Sequence, residues 1–204
     1  MLENIISFSL ATIVLALSPG PDNIYVLSQS IANGTKSGLA TTSGLVAGCI
    51  LHTTLLAFGL SAIITASPTI FYGIKVFGAA YLLYLAFKVY RSDSKISLTS
   101  KVSKKSHQKL FKQGVIMNIL NPKVMIFFLA FFPGFLWDKD GNTVMQFYVL
   151  GGVFMLVSFI VFGLIALLAG KISTYLKSHK AVGPTLKWLQ IVVFIGIAVY
   201  ILIP

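Results

Sequence analysis

The sequence predicts an all-α polytopic membrane protein with six transmembrane helices. They form a 3+3 inverted repeat whose first and fourth helices are broken. Three observations carry the prediction. Only 10% of the 204 residues are charged and 56% are hydrophobic, with a mean hydropathy of +0.89; soluble domains carry about a quarter charged residues. Six apolar stretches approach or exceed the ~20 residues that cross a bilayer core as a helix. Two of these stretches, half a chain apart, are interrupted by proline.

The first stretch, 4–32, follows a start, "MLENIISF", with Glu3 and no Lys or Arg. That is unlike a secretory leader, so the segment is expected to stay in the mature chain. Inside it, "LALSPGPDNIYVLSQS" breaks the apolar run at Pro19, Gly20, Pro21 and Asp22. The second stretch, 38–66, contains "SGLVAGC", with Gly44 and Gly48 at a spacing that lets two helix backbones approach closely. Their partner is either a neighbouring helix or a second copy in a homodimer. The third, 69–90, carries Lys75, placed to snorkel toward an interface. The fourth, 113–136, is broken at Asn121-Pro122-Lys123, and the fifth and sixth, 144–169 and 186–203, complete the set. Tyr72, Trp137 and Trp188 suit interfacial aromatic belts. The single cysteine, Cys49, excludes a disulfide framework.

Charge orients the spans. The loop 91–112 holds Arg91, Lys95, Lys101, Lys104, Lys105, Lys109 and Lys112 against Asp93 alone. The segment near 170–187 adds Lys171, Lys177, Lys180 and Lys187, and Lys36 follows the first span. The opposite loops hold Lys139 between Asp138 and Asp140, and an uncharged "SPT". Lys-rich short loops stay cytoplasmic, so both termini are expected outside a bacterial cytoplasmic membrane. A net charge of +11 thus marks loops and anionic headgroups, with no nucleic acid expected. A re-entrant reading of the broken segments would put the Lys-rich 170–187 loop outside, against that bias. The whole chain, 1–204, reads as one transporter domain with half-repeats of about 1–90 and 113–204 joined by the basic loop.

Pro122 follows Pro19 and Pro21 by 103 and 101 residues, and each break lies in the first helix of a three-helix half. Paired interruptions in corresponding spans point to a transporter's binding site. Proline removes a backbone donor and clashes with the preceding turn, yet suits the first position of a new helix. Asn121 therefore reads as the N-cap of a second half-helix, and Gly20-Pro21-Asp22 as the start of another. Such ends offer free N–H groups and a partial positive charge. Asp22 is either a first-turn acid stabilising its own helix or, being costly in a bilayer, a functional group. Lys123 either pairs with Asp22 or holds a substrate carboxylate while Asp22 holds an ammonium. Asn23 adjoins the same break. His52 is either a hydrogen-bonded packing residue or a proton relay or substrate contact.

The stretches "SPGPDNIYVLSQSIANGTKSGLA", "GAAYLLYLAFKVYRS" and "FKQGVIMNILNPKVMIFFLAFFPGF" resemble the LysE/RhtB family of amino-acid exporters, in order and along nearly the whole chain. The resemblance implies six membrane helices and export of amino acids or their relatives coupled to proton entry, without a cofactor. It carries the family's proline–glycine–proline onto Pro19, Gly20 and Pro21, and its second break onto Asn121, Pro122 and Lys123. It sets Asp22 at the acidic or amide position and His52 where many members have histidine. One departure is Gly134 after Pro133, where many relatives have glutamine. A basic substrate would want a second acid, so a neutral amino acid is expected. A metal-cation exporter would want clustered Cys, His, Met or carboxylate ligands, where this chain offers Cys49 and His52. A non-transporting scaffold would not need two matched, charged breaks.

Overall fold

The computed structural model of the chain describes residues 1–93, 103–138, 141–179 and 181–203. Lys95, Lys101, Lys139, Asp140 and Lys180, used in the charge reading, lie outside the described residues. All regular structure among the described residues is helical. The first span is α1 (Leu2–Leu17) plus α2 (Pro21–Asn33), bent by 62° at the proline break. The second is α3 (Thr35–Leu55), a π-helical turn (Leu56–Leu60) and α4 (Ser61–Ala66); the third is α5 (Pro68–Arg91). The fourth joins α6 (His107–Ile119) at a 50° bend to α7 (Pro122–Ile126), which runs on as a π turn (Phe127–Phe131) and a 3-10 turn (Phe132–Phe135). Then come α8 (Thr143–Leu167), α9 (Ala169–Ser178) and α10 (Val182–Leu202).

Short polar side chains and prolines set the boundaries. Ser67 accepts from the Ile70 amide at 3.3 Å ahead of Pro68, and Asn142 accepts from Met145 at 2.9 Å. Both leave fewer orphan donors at a helix start. Gly34 turns α2 into α3 with φ 85°, a left-handed conformation natural to glycine. Two expected loops are shorter than read from the sequence. Ser106 caps α6 through the Lys109 amide, so His107 to Lys112 are helical and leave the loop 91–112. The segment 170–187 folds a helix of its own, α9, because Ile172 and Leu176 line a groove with Leu17, Ile24 and Leu27. An apolar stripe with somewhere to bury suffices to hold so short a helix.

Side-chain bonds fix the crossings. At one end of the molecule Asn4 donates to the Phe135 carbonyl and Thr143 to Ser61. The helix Thr35–Ile64 has 30 residues, about 45 Å. The α2–α3 junction therefore lies at the end opposite Asn4, and α1 with α2 crosses the molecule instead of looping back. α6 runs parallel to α3, with Phe111 beside Gly44 and Asn118 beside Gly48 and His52, and its continuation ends at Phe135 near Asn4. Both bent pairs are thus full spans, and six helices cross. Among the packed pairs, α6 lies on α3 and α1 on α8, α5 lies on α10, and α3 lies on α8.

The Gly44 and Gly48 stripe is an internal seam. A Cβ on Gly44 would collide with the Phe111 carbonyl, and one on Gly114 would stand 2.5 Å from the Thr41 carbonyl. That face is filled by α6 and is closed to a second copy. Toward the Asn4 end, Phe8, Phe127, Phe128, Phe132 and Phe154 pack edge-to-face and stacked in one buried block. Outward, Leu10, Phe58, Phe77 and Val192 are all more than half exposed, an apolar exterior suited to lipid. Lys75 reaches the Ile203 carbonyl at the tail of α10, near the molecular end.

Candidate functional site

The two proline breaks meet. Gly20 caps α2 without a side-chain partner and Pro21 occupies its first position, so the helix start is left to its own amides. Asp22 follows in the first turn and is 6% exposed. Across the break in span four, Asn121 caps α7 with its Oδ1, which accepts from the Lys123 amide at 3.0 Å. Its Nδ2 donates to Asp22 Oδ2 at 2.8 Å, a bond between residues 99 apart in sequence. One side chain therefore both starts a half-helix and ties the two halves together. The other carboxylate oxygen, Asp22 Oδ1, is buried without a hydrogen-bond partner.

Lys123 does not bond Asp22. Its ammonium donates to the Ser18 carbonyl at 3.2 Å and the Leu15 carbonyl at 3.4 Å, and lies 5.4 Å from the Phe194 ring centre. The pairing with Asp22 considered from sequence is replaced by a better partner. The last carbonyls of α1 are freed by the break and form the negative end of that helix. Carbonyls of a broken helix holding a cation are a recurring device in transporters.

Asp22 and Lys123 nonetheless line one cavity, with Gly20, Pro21, Asn23 and Asn121 from the two breaks. Its volume is ≈ 30 Å³, room for a water or two and far less than an amino acid. In this conformation the site is too narrow to hold an amino acid. Asn23 borders the cavity, but its Nδ2 donates to the Ala16 carbonyl at 2.6 Å, so it splints the bend in span one. Pro19 and Pro122 shape the chain without lining the cavity.

His52 lies outside the lining. Its Nε2 donates to the Asn118 carbonyl at 3.2 Å, and its ring sits 5.4 Å from that of Phe128. Asn118, which sequence reasoning passed over, lines the cavity, and so does Cys49, weighed there only for disulfide and metal chemistry. Cys49 Sγ lies 3.6 Å from Asn118 Oδ1, so Asn118 links the site to both Cys49 and His52. A signal for Asn118 existed: it is a polar residue in the last turn before the break at Asn121-Pro122. Among the described residues, no three His, Cys, Asp or Glu side chains gather as metal ligands would.

Comparison with known proteins places this geometry. Residues 13–204 match the model of the LysE type translocator family. A homoserine/homoserine lactone efflux protein of Salmonella typhimurium is 31% identical over 174 residues, covering 85% of this chain and 84% of the relative. The protein of the same description in Salmonella typhi is 32% identical over the same shares. An uncharacterized membrane protein of Vibrio cholerae is also 32% identical, with equal coverage. No solved structure matches. With six spans, two facing breaks and a family match over nearly its whole length, the chain belongs to the LysE type translocator family.

Proposed function

We propose that this chain is a secondary exporter of a small neutral amino acid of the homoserine type, driven by exchange for protons. The observation that carries the reading is the buried pair of opposite charges at the facing breaks. Asp22 keeps one carboxylate oxygen unpartnered, and Lys123 is held by backbone carbonyls that a substrate carboxylate can outbid. A zwitterion answers both: its ammonium to Asp22 Oδ1, its carboxylate to the Lys123 ammonium and the uncapped amides opening α2. Asp22 is the one buried Asp or Glu among the described residues, so a second positive charge on the substrate would have no partner there. The names of the Salmonella relatives support the homoserine class.

In this reading the basic ends of the helices face the cytoplasm and both termini lie outside, in a bacterial cytoplasmic membrane. The amino acid enters between the halves from the basic side, and the halves rock to release it outside. A proton then replaces the ammonium on Asp22 for the return. One charge moving inward through 100 mV supplies about 2.3 kcal/mol, roughly a fiftyfold gradient. The test is accumulation of radiolabelled amino acids by inside-out vesicles containing the protein, across a panel that includes homoserine. Uptake of a neutral amino acid that collapses with a protonophore is expected; vesicles concentrating none of the panel refute the reading.

A further inference from the structure

Six buried side-chain atoms among the described residues lack a hydrogen-bond partner, and they are not scattered. Asp22 Oδ1, Tyr25 Oη and Gln29 Nε2 follow one another along α2 at i, i+3 and i+7, a single face of the helix. Thr42 Oγ1 is a fourth, on α3, which packs directly against α2. Asn33, one more turn along, donates to Gln29 Oε1 at 2.9 Å and brings the stripe to the end of α2. Gln29 and Thr42 are both 0% exposed. A buried polar group without a partner costs about 1–3 kcal/mol, and native interiors hold few. A protein that only needed to pack α2 against its neighbours would carry Leu at these positions.

The stripe starts at the site and ends at the basic face. Tyr25 Oη stands beside the side chains of Gln29 and of Gln113 on α6. Gln113 itself accepts from Lys105 at 2.6 Å, at the basic surface ahead of α6. We propose that this polar face of α2, opposed by Thr42 and Gln113, is the path by which the amino acid passes between the cytoplasm and the Asp22 site, with the Lys105–Gln113 bond as its outer clasp. The proposal rests on the transport reading above. The stripe offers a hydroxyl, amides and finally a carboxylate, which suits a polar zwitterion shedding water stepwise; it offers no second fixed charge to trap it. In this conformation Asp22 Oδ1, Gln29 Nε2 and Thr42 Oγ1 are buried without partners, and parting α2 from α3 and α6 would give them to water and substrate.

The experiment replaces Gln29 by Leu, an apolar side chain of similar size. If Gln29 only packs, Gln29→Leu removes an unsatisfied amide and leaves export unchanged. Because losing the unpartnered Nε2 offsets losing the Asn33 bond to Oε1, the path predicts a melting temperature close to the native one, with an export rate at least tenfold lower in inside-out vesicles. Native-rate export by Gln29→Leu overturns the proposal. A second variant, Gln29→Cys, reads the path without relying on rates. A charged, membrane-impermeant thiol reagent applied at the cytoplasmic face is expected to modify it, and the transported amino acid to slow the modification. Labelling is read in a Cys49→Ser protein, because Cys49 lines the cavity at the inner end of the path, and that protein with Gln29 intact gives the background. Labelling no faster than that background also overturns the proposal. Native vesicles that concentrate no amino acid of the panel instead refute the transport reading beneath it.

Discussion

Two glycine substitutions should move stability in opposite directions, and the structure sets both magnitudes. Gly44 and Gly152 both lie inside long helices, α3 and α8. In either, replacing Gly by Ala contributes about 0.8–1 kcal/mol through helix propensity. At Gly152 nothing lies within 4 Å of the added carbon, so the gain stands alone. At Gly44 the carbon meets the carbonyl oxygen, carbon and Cα of Phe111, all backbone, which cannot rotate away. Helix α6 must move off as a unit, taking with it the Gly114–Thr41 and Gly48–Asn118 contacts. Overpacking costs about 1–3 kcal/mol, and a backbone-on-backbone clash belongs at the top of that range. We expect Gly44→Ala to be destabilised by about 2 kcal/mol net and Gly152→Ala to be stabilised by up to about 1 kcal/mol. Unfolding in detergent, followed by helical circular dichroism, measures both. A Gly44→Ala protein as stable as the native one would refute the seam; loss of a dimer with an unchanged monomer would return the stripe to an intermolecular role.

Three further outcomes follow from the site. Asn121→Ala removes the α7 cap, worth ~1 kcal/mol, and unpairs Asp22 Oδ2, worth about 1–3 kcal/mol; thermal unfolding should show a combined loss of about 2–4 kcal/mol. Lys123→Met loses two charge-assisted bonds to Ser18 and Leu15 but also removes the cost of burying an ammonium, two effects of several kcal/mol and opposite sign. Its stability should change by less than about 2 kcal/mol while amino-acid binding, read by calorimetry on purified protein, is lost. His52→Gln removes an imidazole outside the cavity, so amino-acid binding should persist within about threefold, and loss of binding would place His52 in the substrate site.

Much of the architecture is visible in local chemistry. Apolar runs of bilayer length can be little else, and proline inside one must break it, so the six spans and both bends follow from residues read a few at a time. Asn121 as a cap is equally local. What escapes is what depends on a partner distant in sequence. Lys123 prefers the Ser18 and Leu15 carbonyls to Asp22, because bending α1 away frees them there. Helix α9 forms because its apolar stripe meets a groove of Leu17, Ile24 and Leu27; the stripe is local, but the groove is not. The π turn at 127–131 lies in the phenylalanine block, whose rings pack across spans, a setting no local residue pattern reveals. The role of Gly44 needed Phe111 to decide it. His52, singled out because it is the lone histidine within a span, turns out to brace Asn118 behind the cavity.

The central claim is that the Asp22 carboxylate holds the ammonium of the exported amino acid, and Asp22→Asn tests it most directly. The amide oxygen can still accept from Asn121, so the fold is conserved while the charge is removed. An ion pair at about 4 Å in a medium of effective dielectric about 20 is worth ~4 kcal/mol, close to a thousandfold in affinity. Inside-out vesicles carrying native amounts of the Asp22→Asn protein should concentrate no homoserine above the empty-vesicle level. Accumulation at the native rate would remove the carboxylate from the mechanism and contradict the account.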